Sequence, residues 1–327
     1  MDRLSDFRKY YNHTLYPELR RMERRRIRLL LLFFVSGLLV VGTLLLELWI
    51  NNLLITLLLA IPLFLYTSWV YLQLKKFVSS YKPRVMNSIL AFIQSSVNYE
   101  ELAYHAEKSI SKETFLSSRL FDTTAPVFRG EDFISGKVGE LKFDLCELSV
   151  AELHPVASGL RQVFKGIFIH AVFNFPSEGG VIVWPRKYRH RAAQAIKAAV
   201  LHGAENVDDE ILYEPFQDAF ITYASNDTHV AGVLPITLQE ALVKYLHYIE
   251  RREAMRAANR YTQRREPQTR HLFLSMLSNH LFVGLTEQND LLEPYIFRSN
   301  LSFDLVLEYY EEIRLMLKIV EDFDQMI

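Results

Sequence analysis

The chain has 327 residues, with 37 basic against 38 acidic side chains and a formal net charge of -1, so it carries no general bias toward nucleic acid. Half of its residues are hydrophobic, and its single cysteine, Cys146, excludes an internal disulfide and any multi-cysteine zinc site while fitting a reducing compartment. No internal repeat or low-complexity tract is present.

A basic segment, residues 1–26, comes first. From Leu29 to Leu46 no charged residue occurs, Glu47 interrupts, and a second uncharged run extends from Leu48 to Leu74. About 20 apolar residues at about 1.5 Å each cross the hydrocarbon core of a bilayer. The pattern predicts a transmembrane helical hairpin over 27–74, with spans of about 27–48 and 53–74 and a turn at 47–52. A cleaved signal peptide does not fit, because the run is too long, a second span follows at once and no small-residue cleavage site stands out. Two buried helices in a soluble domain are the remaining alternative. Arg20, Arg21, Arg24, Arg25, Arg26 and Arg28 precede the first span, Lys75, Lys76, Lys82 and Arg84 follow the second, and the turn holds no Lys or Arg. This asymmetry predicts cytoplasmic termini and an outward-facing turn, with Trp49, Tyr66, Trp69 and Tyr71 at the interfaces. Neither span holds an ionisable residue except at its edges, which argues against a pump or transporter built from this hairpin alone. Gly37 and Gly42 miss the G-x-x-x-G helix-packing spacing by one residue. A plain anchor is the simplest reading, and a subunit of a larger pore stays open.

Residues 77–122 read as a helical connector. Lys82-Pro83 opens a stretch in which Val85, Ile89, Leu90, Ile93 and Val97 recur at helical spacing, and 99–120 reads as helix with breaks. Residues 123–327 read as a cytoplasmic domain. Strands are expected at 133–143, 163–175, 180–184, 219–224 and 229–234, with Ser225-Asn226-Asp227 as turn chemistry. A helix over 236–256 places Leu238, Ala241, Leu242, Tyr245 and Ile249 on one face. Residues 272–277 and 281–286 form a hairpin across Ser278-Asn279, and 303–323 is an amphipathic helix. The fold class is α+β: the transmembrane hairpin followed by an antiparallel sheet with flanking helices.

Site motifs are sparse. Residues 130–138 superficially resemble a phosphate loop, but five residues separate Gly130 from Gly136, Val138 follows Lys137, and a strand continues where a helix must start. The ten histidines show no H-E-x-x-H or other recognised ligand spacing, so no metal site is read. His170 fits a satisfied core histidine, and Asp208-Asp209-Glu210 a solvated loop. Cys146 has no local histidine and G-x-S-x-G is absent, so no catalytic residue and no cofactor is assigned. The basic groups stand out: Arg186, Lys187, Arg189 and Arg191 in one turn, then Arg251, Arg252, Arg256, Arg260, Arg264, Arg265 and Arg270. Each group fits either a solvated face or contact with anionic lipid headgroups or an acidic partner, where a basic residue near an anionic surface gains about 1 kcal/mol. No aromatic-interleaved signature accompanies the arginines, which argues against RNA.

The series Ser118-Arg119-Leu120-Phe121, Phe128-Arg129-Gly130-Glu131-Asp132-Phe133-Ile134-Ser135-Gly136-Lys137-Val138-Gly139, Val163-Phe164-Lys165-Gly166-Ile167-Phe168 and Phe220-Ile221-Thr222-Tyr223-Ala224-Ser225-Asn226-Asp227, then residues 234–242, resembles a family of uncharacterised bacterial membrane proteins, domain of unknown function thirty-one thirty-seven. The resemblance implies an inner-membrane protein with a cytoplasmic α+β domain and implies no activity. Within these motifs, Gly166 suggests a bulge or a close backbone approach in a strand. Lys165 is a charge in an apolar strand that must reach water or a carboxylate. The expected role is a membrane-anchored, non-enzymatic scaffold or adaptor whose partners are the bilayer and anionic headgroups or another membrane protein. Alternatives are a tethered hydrolase or transferase assembled from Asp132, Lys165, His170 and Asp227, and a subunit of a transport or channel assembly.

Overall fold

A computed structural model describes residues 2–50, 52–95, 98–153, 159–173, 179–190, 192, 204–225, 228–258, 269–287, 295 and 297–326. The chain divides into two compact units, Met1–Phe92 with Leu292–Glu312, and Ile93–Leu291 with Ile313–Ile327.

The first unit is helical. Helix α1 (Asp2–Tyr10) passes through a π-helical turn (Tyr11–Leu15) into α2 (Tyr16–Ile50), and α3 spans Leu53–Gln94. Phe7, Tyr11, Leu15, Leu19 and Met22 recur every three or four residues and are all buried, Arg26 and Leu29 continue that face, and Phe77, Tyr81, Val85, Met86 and Ile89 of α3 are buried too. A last helix, α8 (Phe303–Met326), gives its residues 303–312 to this unit and the rest to the other. Phe7 stacks on Tyr310 at 4.0 Å between ring centroids, Tyr11 donates to the Leu301 carbonyl at 2.6 Å, and Tyr81 donates to that of Asn300 at 3.2 Å. The helix expected to open at Lys82-Pro83 is instead the continuation of the second apolar helix, with Pro62 and Pro83 inside it. Proline removes one helical hydrogen bond, and the buried neighbours of Pro83 outweigh that cost. Two helices of this unit are therefore long and apolar enough to cross a membrane.

The second unit is built on a nine-stranded sheet. Its strands are β1 (Tyr99–His105), β2 (Val127–Val138), β3 (Leu141–Leu153), β4 (Leu160–Val172), β5 (Gly180–Pro185), β6 (Glu205–Asn206), β7 (Phe220–Ala224), β8 (Leu272–Leu277) and β9 (His280–Thr286). Their spatial order is β1-β2-β3-β4-β9-β8-β5-β7-β6, every neighbour antiparallel. Two-residue turns join β2 to β3 at Gly139-Glu140 and β8 to β9 at Ser278-Asn279. Gly139 and Ser278 take φ of 57° and 56°, the positive first position of a type II′ hairpin turn. Short helices α4 (Lys112–Ser117), α5 (Glu214–Ala219) and α6 (Val230–Val233) and the long α7 (Ile236–Ala258) complete the unit.

One face of the sheet carries Cys146, Leu148, Phe164, Phe168, Phe282, Phe273, Ile182 and Trp184, and Ile110, Phe115, Leu120 and Ala125 from 106–126 close over them. Phe115 lies 5.1 Å from Phe168, and Phe121 lies 5.2 Å from Phe273 and 5.8 Å from Trp184. Ile167, Ile169, Leu272, Leu274, Leu281 and Val283, which point the other way, are buried too. The central strands are thus apolar on both faces.

Residues 99–120 are not broken helix but β1 followed by α4, which Ser111 caps by accepting from the Thr114 amide at 3.1 Å. The charged YEELAYH segment is an edge strand, whose weak alternation imitates helix. Residues 230–233 form a helical turn rather than a strand, with Val230 and Val233 buried at i, i+3 spacing. So short an apolar run has no periodicity to separate the two.

Candidate functional site

Gly166 sits where two strands flank β4, opposite Leu148 on one side and Thr286 on the other. Its φ is +148°, and a Cβ there would lie 2.1 Å from the Leu285 carbonyl oxygen and 2.5 Å from the Glu287 nitrogen. The close-approach reading of this glycine holds, while the β-bulge itself falls at Val163, the extra residue between the pairs Val150↔Phe164 and Ala151↔Gln162. Lys165 is half-buried, lies opposite Ser149, and accepts from the Glu287 amide through its carbonyl at 2.9 Å. Where β9 ends, Arg270 is buried. Its Nε lies 3.0 Å from Glu253 of α7, and it also pairs with Glu287. The buried Glu287 and the partly buried Glu253 around one guanidinium keep the charges compensated, and the cluster ties α7 to the sheet.

His170 on β4 and His280 on β9 meet in the plane of their rings, Nε2 to Nδ1 at 2.9 Å, beside Phe282 at 4.9 Å from His170. Burial pushes the His170 pKa down to about 4, so His170 is neutral at pH 7 and shares an N–H···N bond with His280. Asp144 stands directly opposite His170 on β3, its own pKa raised by burial. His280 and Phe282 open on a cleft of about 490 Å³ that Ser117, Arg119, Gly180, Ser225 and Ser278 also line. His280 carried no signal of its own in the sequence, since its pairing with His170 depends on β4 and β9 being neighbours.

Asp132 occupies a bulge in β2 at φ +59°, buried, with the Tyr104 hydroxyl donating to Oδ1 at 2.6 Å. Carboxylate oxygens of Glu131, Asp132 and Glu147 lie within 4.8 Å of one another, the donor type a hard cation takes. Acidic neighbours alone do not define such a site. Lys165 and His170 lie five residues apart on one strand and face opposite sides of the sheet. The strand therefore does not bring them together, and Asp227 lies outside the described residues.

The basic groups divide by environment. Arg186 pairs with Asp208 at 2.9 Å and also donates to the Gln217 carbonyl, joining the end of β5 to the turn before α5. Lys187 and Arg189 are exposed, with the Lys187 ammonium 5.0 Å from the Tyr188 ring centroid. Arg251 is exposed and Arg252 lies 5.8 Å from the Tyr248 ring centroid. Arg191, Arg260, Arg264, Arg265 and the side chain of Arg256 lie outside the described residues.

The model of a family described as "Protein of unknown function (DUF3137)" matches residues 162–325. Among solved structures, the crystal structure of the mycobacterial trehalose monomycolate transport factor A, TtfA, is similar to this chain at 10% identity with a TM-score of 0.28, covering 73% of this chain and 96% of that one. A likeness at that score carries no argument about fold or function. No curated protein matches the chain.

Proposed function

For this chain, which belongs to the DUF3137 family of proteins of unknown function, we propose the role of a membrane-anchored, non-enzymatic scaffold or adaptor of the bacterial inner membrane. One observation carries the anchor. Among the described residues between Ile27 and Leu72, 25 large apolar side chains are more than a third exposed, among them Leu38 at 72%, Leu54 at 78% and Phe64 at 71%. At about 1 kcal/mol for a side chain left half in water, that surface costs on the order of 25 kcal/mol. This exceeds the about 5–15 kcal/mol that holds a whole domain folded. A bilayer removes the cost. The cations before Leu29 and after Leu74, with none in the turn, support cytoplasmic termini.

In this reading the sheet unit is the working part, and Lys187, Arg189, Arg251 and Arg252 meet an acidic partner protein. Arg186 and Arg270 serve the fold. A reporter inserted at Asn52 is expected on the outer side of the membrane and terminal reporters on the inner side; an inner reporter at Asn52 refutes the topology. Mild detergent extraction is expected to retain a companion protein that Lys187→Glu with Arg189→Glu releases. Turnover in a broad substrate screen refutes the non-enzymatic part.

A further inference from the structure

The fold sorts the cations beside the apolar band into two classes. Glu23 and Arg26 are buried and paired at 2.6 Å, and Lys82 is buried. Arg20, Arg21, Arg24, Arg25 and Arg28 of α2 are exposed, as are Lys75 and Lys76 of α3. Among the described residues, none of these seven side chains has an ionic partner. At 3.6 residues per turn, the five arginines occupy an arc of about 140° on α2. Leu19, Met22, Glu23, Arg26 and Leu29, all buried, fill the complementary side. The stripe therefore points away from the helical unit's own core.

Depth separates the cations further. The headgroup zone is about 5–8 Å thick on each side of the hydrocarbon. Counted from Leu29 at about 1.5 Å per residue, Arg28 lies about 1.5 Å, Arg25 about 6 Å and Arg24 about 7.5 Å beyond the apolar boundary. Lys75 and Lys76 lie about 1.5 and 3 Å beyond Leu74 by the same count. Arg20 and Arg21, at about 12–14 Å, reach back toward this zone only through their flexible stems. Arg84, about 15 Å beyond Leu74, lies outside it.

We propose that Arg24, Arg25, Arg28, Lys75 and Lys76 form a collar that binds the phosphates of anionic phospholipids in the leaflet on the side of the chain termini, with Arg20 and Arg21 as its outer rim. The collar rests on the anchor reading and adds to it a lipid preference, held by residues distinct from the sheet unit's basic groups. Lysine and arginine serve equally where charge at a set depth is what matters, and the preference falls as salt screens it.

The test reconstitutes the full chain in phosphatidylcholine bilayers doped with spin-labelled phosphatidylglycerol or spin-labelled phosphatidylcholine and measures the relative association of the two labels. A preference of at least about fivefold for the anionic label is expected, the ratio that about 1 kcal/mol per cation near the surface gives. The triple variant Arg24→Gln, Arg25→Gln, Arg28→Gln should bring the ratio toward one, with helix content checked by circular dichroism. The matching triple lysine variant and Arg84→Gln should both keep the wild-type ratio. A ratio of one in the wild type, a triple glutamine variant that keeps its preference, or an equal loss from Arg84→Gln overturns the collar. Release of the protein by a carbonate wash overturns the anchor, and the collar with it, whereas retention without lipid preference removes the collar alone.

Discussion

Substituting Gly166 by alanine tests the close approach of β4 and β9. The glycine holds φ +148°, and an added Cβ would come within 2.1 Å of the Leu285 oxygen, 2.5 Å of the Glu287 nitrogen and 2.8 Å of the Thr286 Cα. All three atoms are backbone, so no side chain can swing aside, and a normal carbon contact requires the strands to separate by more than 1 Å. That movement lengthens the bond from the Glu287 amide to the Lys165 carbonyl, now 2.9 Å. A weakened ladder bond costs about 1 kcal/mol, the disfavoured backbone angle about 1–2 kcal/mol, and residual overlap about 1–3 kcal/mol. Together these predict a loss of about 3–6 kcal/mol. Gly159 supplies the control, because its φ is +144° and nothing lies within 4 Å of its would-be Cβ. Gly159→Ala should therefore show the backbone term alone. Thermal unfolding of the full chain in mild detergent, followed by tryptophan fluorescence, compares the two. Equal losses from both variants, or a loss below about 1 kcal/mol from Gly166→Ala, refute the argument.

Arg270→Ala removes the guanidinium that pairs with buried Glu287 and should cost about 3–5 kcal/mol, while Arg270→Met combined with Glu287→Met should recover much of that loss; a cost under 1 kcal/mol in the same melts would show the cluster to be dispensable. Tyr245→Phe removes the hydroxyl that donates to Asp322 of α8 and should lower stability by about 1–3 kcal/mol, with no effect on membrane association. Burial holds the pKa values of His170 and His271 down to about 4, whereas the unfolded chain protonates them near 6.5. The unfolded state therefore binds more protons below pH 6.5, and stability should fall as pH drops from about 6.5 to about 4. His170→Phe should flatten that decline, and an unchanged slope would remove His170 from it.

The elements legible in the sequence were those with long periodic patterns. Leu238, Ala241, Leu242, Tyr245 and Ile249 announced α7 at helical spacing, and all five are buried. Ser278-Asn279 between two apolar runs announced the β8–β9 hairpin, and the runs between Leu29 and Leu74 announced the two apolar helices. What stayed hidden was non-local. The bond between His170 and His280 spans 110 residues and exists only because β9 lies beside β4. The helical core around Phe7, Tyr81 and Tyr310 likewise draws on segments far apart in the chain. Among the arginines, no local signal separated Arg26 and Arg270, which face buried carboxylates, from exposed neighbours such as Arg25 and Arg251.

The strand order also sets a timetable for synthesis. Strands β1 to β4 pair in sequence as they emerge, but the free edge of β4 is closed only by β9, and Thr286 follows Val172 by 114 residues. At the about 5–20 residues per second of a translating ribosome, the apolar edge of β4 stays open for on the order of 6–23 s, with residues 29–74 already clear of the peptidyl-transferase centre. During that interval the nascent meander presents an unpaired, two-sided apolar strand, the kind of edge that recruits other chains. Slow codons between β5 and β8 would lengthen the exposure and raise aggregation of nascent chains, while leaving the finished fold unchanged.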